Sequence, residues 1–335
     1  MITLTRSIQT IILLVIVFYS TSAQDWSPVI ERSSDKLRVD RQIIPTSYKA
    51  YKAPLDELYA ILKKAPRSNQ SAHTKPVLFS IPLPDGTIDT FRILRTDVFH
   101  PAFSDRYPAI QSYSGKGLHS PSQTLKLSIS HKGVSAMILS DKAETVYIDR
   151  YADATPEMYI SYNRSAFTKE LAAHEGTCTV EDPNDGYKPA ENLSRYGDCQ
   201  LRKFKLALAC TGEYASFHGG TIPDVLAEYN ASLTRINGIY ERELGITMEL
   251  VANTDELIFL DGSTDPYTNG EAAIMLGQNQ TTINDIIGLD NYDIGHVYST
   301  GSGGIASLRG PCTNRRARGV TGLSNPVGDP FWVDY

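Results

Sequence analysis

The stretch YDIGHVYSTGSGGIASLRGPCTNRRARGVTGLSNPVGDPFWVDY, Tyr292 to Tyr335, decides how this chain is read. Tyr292 to Ser299 is apolar and β-rich, the composition of a strand. Gly301-Ser302-Gly303-Gly304 turns the chain. The short run Ile305-Ala306-Ser307-Leu308 leads into a loop holding Arg309, Arg315, Arg316 and Arg318 around Cys312. Gly319 to Leu323 is a second small apolar run. Asp329 and Pro330 then carry the cap and first-turn chemistry of a starting helix.

Upstream of this stretch, Phe204, Leu206, Leu208 and Cys210 alternate as a strand does. Thr221 caps a long helix, with Asp224 in a box-like position. Ile222, Leu226, Tyr229, Leu233, Ile236, Tyr240 and Leu244 recur at steps of three or four, and Gly245 ends the helix. Ile246, Met248 and Leu250 alternate in the next strand. Two short helical pieces follow, Glu271 to Leu276 and Thr282 to Ile287. Strand, helix, strand, helix, strand implies right-handed crossovers and a mainly parallel sheet.

Two pieces, LALACTGEYASFHGG (Leu206 to Gly220) and YDIGHVYSTGSGGIA (Tyr292 to Ala306), resemble the adamalysin- or reprolysin-type metzincins. These are zinc metallopeptidases, and the likeness is strongest to their secreted bacterial relatives. It covers about Cys199 to Tyr335. It implies zinc as cofactor, a polypeptide as substrate, and an α/β upper subdomain with a mostly parallel sheet and an antiparallel edge strand. In the family the glycine turn leads into that edge strand, which pairs with the substrate backbone. The resemblance therefore makes Gly303, Gly304, Ile305, Ala306 and Ser307 the substrate-binding positions. The chemistry agrees: an edge strand takes an extended peptide as an added strand, and glycines let the backbones approach. Cys178 stands where a propeptide cysteine caps the zinc with its thiolate in the family; a disulfide with Cys199, Cys210 or Cys312 is the alternative.

In the family the next helix carries HExxHxxGxxH, which places two imidazoles one turn apart with a glutamate beside the metal-bound water. No HExxH occurs in this sequence; His174-Glu175 runs into Gly176-Thr177-Cys178. His218 and His296 have no partner at ligand spacing. No catalytic or metal-binding residue is assigned within the chain. The expectation is a propeptide plus the N-terminal part of a secreted zinc metalloendopeptidase, ending before the zinc helix and inactive alone. The alternative is a secreted, non-catalytic peptide-binding or inhibitory module with a protease-like fold.

Arg6 precedes an apolar run, Ile11 to Tyr19, and small residues Ser20 to Ala23 suit cleavage before Gln24. That is a signal-peptide pattern, too short to span a bilayer comfortably, and no second long apolar run follows. A secreted chain with no stable membrane span is expected. The net charge of -6 gives a nucleic-acid partner no electrostatic support. Four cysteines and no CxxC pair point to disulfides in an oxidising compartment rather than to a zinc ribbon. Gly301 to Ala306 has dinucleotide-site spacing, but Arg309-Gly310-Pro311 leaves no room for the helix such a site needs.

The expected organisation is a signal peptide at 1–23, a polar segment at 24–75 and a β-rich propeptide-like domain at 76–162. A linker at 163–198 and an incomplete catalytic domain at 199–335 complete it. The fold class expected is α+β overall. Within the β-rich part, Pro84-Asp85-Gly86 and His131-Lys132-Gly133 mark hairpins.

Overall fold

Alternating apolar and polar residues in the first half of the chain build the larger of two sheets. The computed structural model describes residues 26–30, 40–68, 75–167, 179–182, 199–301, 303–311 and 313–328. The expected signal peptide and the expected helix start at Asp329 lie outside them. The first elements are β1 (Ser27–Val29), β2 (Lys49–Lys52) and helix α1 (Leu55–Leu62). Next come β3 (Val77–Pro82), β4 (Ile88–Thr96) and the one-turn helix α2 (Pro101–Ser104). Then follow β5 (Gln111–Gly117), β6 (Thr124–Ser130), β7 (Gly133–Leu139), β8 (Val146–Arg150) and β9 (Met158–Asn163).

The strands lie in the order β1-β2-β9-β8-β7-β6-β5-β4-β3, and every ladder is antiparallel. From β3 to β9 each strand pairs with the next, so short turns suffice. At the first turn Gly86 has φ 97° and Asp85 Oδ1 accepts from the Thr87 amide at 2.9 Å. The sheet curls until its ends meet. Trp26 Nε1 donates to Ser80 O at 2.8 Å, and Ser161 Oγ to Pro82 O at 2.8 Å. Helix α1 drives Leu58 and Leu62 into the interior of the curl, against Phe79, Phe91 and Tyr159.

The second unit contains β10 (Thr179–Glu181), β11 (Arg202–Cys210), α3 (Gly212–Phe217), α4 (Ile222–Glu243) and β12 (Ile246–Leu250). Helix α5 (Ala272–Ile286), β13 (Ile294–Ser299), β14 (Gly303–Ser307) and β15 (Gly319–Gly322) follow. Its sheet has the order β10-β14-β15-β13-β11-β12. Only β14 on β15 is antiparallel; the other ladders are parallel.

These findings correct the expected fold class. The described chain is β-rich, and its larger sheet is antiparallel throughout. A mostly parallel sheet does not describe the molecule; parallel ladders are confined to the smaller sheet. Nor is the antiparallel strand a border, because β10 pairs along its outer side. The physical reason is that strand partners come from distant segments, which local periodicity does not register. A second correction concerns α5, expected as two short pieces, Glu271 to Leu276 and Thr282 to Ile287. One helix runs through, since the polar side chains have tertiary partners. Asn279 Nδ2 donates to Ala317 O at 2.6 Å, its Oδ1 accepts from Tyr267 at 3.0 Å, and Gln280 Nε2 donates to Tyr292 Oη at 3.0 Å.

Helix α4 lies between the two sheets. Thr221 Oγ1 accepts from the Asp224 amide at 3.3 Å, and Gly245, at φ 65°, ends the helix. Leu226, Tyr229 and Leu233 pack with Leu208, Leu250 and Tyr298 of the parallel sheet. The opposite side meets the antiparallel sheet through charges. Arg235, fully buried, donates to Asp149 Oδ1 at 2.5 Å and stacks on the Tyr147 ring at 4.8 Å. Asp149 also accepts from Ser135 at 2.8 Å and from Tyr162 at 2.7 Å. Glu228 is paired with Arg150 at 2.7 Å and Lys132 at 3.4 Å. Among the described residues no helix is long and apolar enough to cross a membrane.

Removing one partner from a buried ion pair strands the other charge. Arg235→Met and Asp149→Asn are each expected to lower the unfolding free energy by about 3 kcal/mol or more. Chemical denaturation measures this, and an Arg235→Met, Asp149→Leu double variant should lose less than the sum of the two.

Candidate functional site

The residues singled out in the sequence, Gly303, Gly304, Ile305, Ala306 and Ser307, form β14. A strand rather than a helix follows the glycine turn, which leaves no cradle for a pyrophosphate. The turn is held at Gly301, whose amide donates to Asn269 Oδ1 at 3.1 Å, while Asn269 Nδ2 donates to Thr300 Oγ1 at 2.9 Å. Gly303 has φ 87°, a left-handed conformation that a side chain would strain. A Cβ on Gly322 would collide with Gly301 O, so the antiparallel pairing of β14 and β15 closes tightly onto the turn.

The inner side of β14 pairs with β15, Gly303 opposite Gly322 through Ala306 opposite Gly319. Its outer side carries β10, with Thr179 opposite Ile305, Val180 opposite Ala306 and Glu181 opposite Ser307. The Leu308 amide donates to Glu181 O at 2.9 Å and continues this ladder. Val180 is largely exposed, so backbone bonds and charge, not burial, hold β10.

The arginine loop supplies the charge. Arg318 clamps the Glu181 carboxylate with Nε on Oε2 at 2.8 Å and Nη2 on Oε1 at 2.6 Å. Arg315 Nη2 donates to the same Oε2 at 2.9 Å and to Ser307 Oγ at 2.8 Å. Arg309 Nη2 reaches Asp182 Oδ1 at 2.9 Å. Arg316 turns away and ties the loop to Leu289 O at 3.2 Å and Tyr292 O at 3.0 Å. The bonds from Arg318 pull the Glu181 carboxyl down to about 2, against an ordinary value of 4.5.

Glu181 was missed in the sequence, where Glu181 to Gly186 has the composition of a linker. The signal that existed was charge complementarity: an acidic pair at 181–182 and an arginine quartet at 309–318. Those segments are too far apart in the chain for local pattern to join them.

Cys178 and Cys312 lie outside the described residues. Cys199 is exposed, Cys210 is buried, and both are free thiols. Burial pushes the Cys210 thiol up to about 12, so it packs as a small apolar side chain. His296 shares a hydrogen bond with Thr321 Oγ1 through Nε2 at 2.8 Å. His218 is buried, with its ring 4.4 Å from that of Tyr214, and burial lowers its pKa to about 4. Among the described residues no group of three or more His, Cys, Asp or Glu side chains converges to hold a metal ion. His296 is bonded within the sheet, and His218 is buried against Tyr214 with its Nε2 unpaired. No further ligating side chains converge on either among the described residues, so these do not fit a catalytic zinc.

Residues 226–335 match the family described as metallo-peptidase family M12B, reprolysin-like. The match takes in β14, β15 and the arginine loop, and leaves Glu181 outside. No curated protein matches the chain.

The lowered carboxyl of Glu181 sets a pH dependence. A depressed carboxylate pKa stabilises above the ordinary value and loses that contribution as the pH falls through the folded value. The Leu308 amide should therefore keep full protection from hydrogen exchange above 4.5 and lose it progressively toward about 2, after correction for intrinsic exchange. Glu181→Gln should remove this pH dependence.

Proposed function

We propose, from a C-terminal portion that is reprolysin-like metallopeptidase, that this chain is a precursor form of a secreted zinc metalloendopeptidase, carrying the substrate-holding rim without the zinc ligands. One observation carries the peptide-binding half of this proposal: β14 is engaged on its outer side by an extended segment in regular register. A strand that already pairs with one extended segment along its outer side directs there the donors and acceptors that an extended peptide would use in its place. The role of β14 in the enzyme is to hold a polypeptide by its backbone and fix its direction. The upstream antiparallel unit acts as the propeptide, packed on α4 and supplying nothing to chemistry.

Zinc would supply an activated water for attack on the peptide carbonyl. The sequence contains no HExxH, and among the described residues no group converges to hold a metal, which supports the reading that this chain does not cleave peptides by itself. The pattern of Arg6, the apolar run to Tyr19 and the small residues to Ala23 supports export. The missing motif also keeps a second reading open, a secreted peptide-binding or inhibitory module with a protease-like fold. Reading the coding sequence past Tyr335 separates the two, since a continuation into HExxHxxGxxH belongs to the enzyme alone.

The purified chain, incubated with fluorescent casein and added zinc, should release no more label than a buffer blank. Cleavage that a chelator abolishes would overturn the assignment of the chain as inactive.

A further inference from the structure

The geometry points to a side-chain subsite on this rim: Arg315 and Arg318 receive a glutamate of an extended peptide on β14, and Glu181 of the same chain is its present occupant. The inference rests on the peptidase reading and goes further, because it names the substrate class as acidic peptides. The position of the subsite follows from the pleat. In paired strands the side chain opposite Ser307 stands on the same face as Ser307 itself. That holds for a peptide of either direction, so a substrate running opposite to β10 would present the same side chain to the same place.

The loop that carries the subsite is held independently of its occupant. Arg316 anchors the loop through Leu289 O, Tyr292 O and Thr313 O, the last at 2.8 Å. The Ser307 amide donates to Arg318 O at 2.9 Å, and the Arg315 amide donates to Thr313 Oγ1 at 3.1 Å. None of these bonds involves β10. When β10 leaves, two guanidinium groups that now share Glu181 Oε2 remain side by side. Their mutual repulsion, and the fork geometry of Arg318, favour a carboxylate over a neutral amide. Arg309 adds a second acid-seeking group one residue further along, where it now pairs with Asp182.

The test replaces Thr179 to Asp182 by Gly-Ser-Gly-Ser in the full chain, which removes the internal occupant. Two fluorescein-labelled peptides are titrated by polarisation, one with the core Thr-Val-Glu-Asp and one with Thr-Val-Gln-Asp. The glutamate peptide should bind about tenfold or more tightly, the range expected for hydrogen bonds to a charged group. Arg315→Gln with Arg318→Gln should abolish the difference. Equal binding of both peptides overturns the subsite and leaves the peptide-holding role of β14 intact. Binding of neither by the folded protein overturns that role as well. Should the replacement unfold the chain, Glu181→Gln answers in its place. Its Leu308 amide should lose protection, the glutamate peptide should restore it, and the glutamine peptide should not; protection like that of the unaltered chain overturns the proposal.

Discussion

The contact between Arg235 and Asp149 is the constraint on which the rest depends. From Val225 to Arg235 the helix α4 is buried on all sides, so its middle must satisfy a different partner on each face. Toward the parallel sheet it offers Leu226, Tyr229 and Leu233, which bury apolar area without direction. Toward the antiparallel sheet it offers Arg235 and Glu228, which demand exact partners in a medium of low dielectric. Gly238 lets the helix come close there, against Lys126 and Met137. Ion pairs of this kind add less stability than their strength implies, because desolvation offsets them. They do join side chains of α4 to β7, β8 and the turn before β7, so that helix and larger sheet meet through directed bonds.

A related constraint acts at the edges of the smaller sheet. An open edge strand exposes unpaired N–H and C=O groups. Here β14 and the end of β12 are each met on the outer side by chain that precedes β11. On one side the Leu250 amide donates to Val98 O at 2.8 Å and the His100 amide to Leu250 O at 3.0 Å. Arg106 locks this edge through Asp255 at 2.6 Å. On the other side β10 covers β14. The first is backed by a packed apolar cluster with Phe99 and Phe103, whereas the second rests on a short ladder and the Glu181 clamp. The weaker cover lies over the strand proposed to hold a peptide, and regions with few buried contacts are those that open first.

Much of the smaller unit was legible in its sequence. Alternation at Phe204 to Cys210, the Thr221 cap, the stripe ending at Gly245 and the glycine turn at Gly301 to Gly304 each announced an element through a local rule. Helix α5 was not legible as one piece, because Gln278, Asn279 and Gln280 break the apolar period, and Asn279 and Gln280 are satisfied at Ala317, well beyond the helix. Strand β10 was not legible either. Three residues carry no usable periodicity, and the bonds holding them come from arginines near the other end of the chain. For the candidate site, the strand could be found from the glycines; its occupant could not.

By itself, then, the sequence determined the elements whose causes are local: caps, turns, alternating strands, and the absence of HExxH. These depend on neighbours within a few residues, so they survive without knowledge of the fold. Only the tertiary structure decided which strands lie side by side, that the larger sheet is antiparallel throughout, and that β14 is covered rather than free. Strand pairing and charge clamps join residues that are remote in the chain, and their energy exists only once folding has brought those residues together.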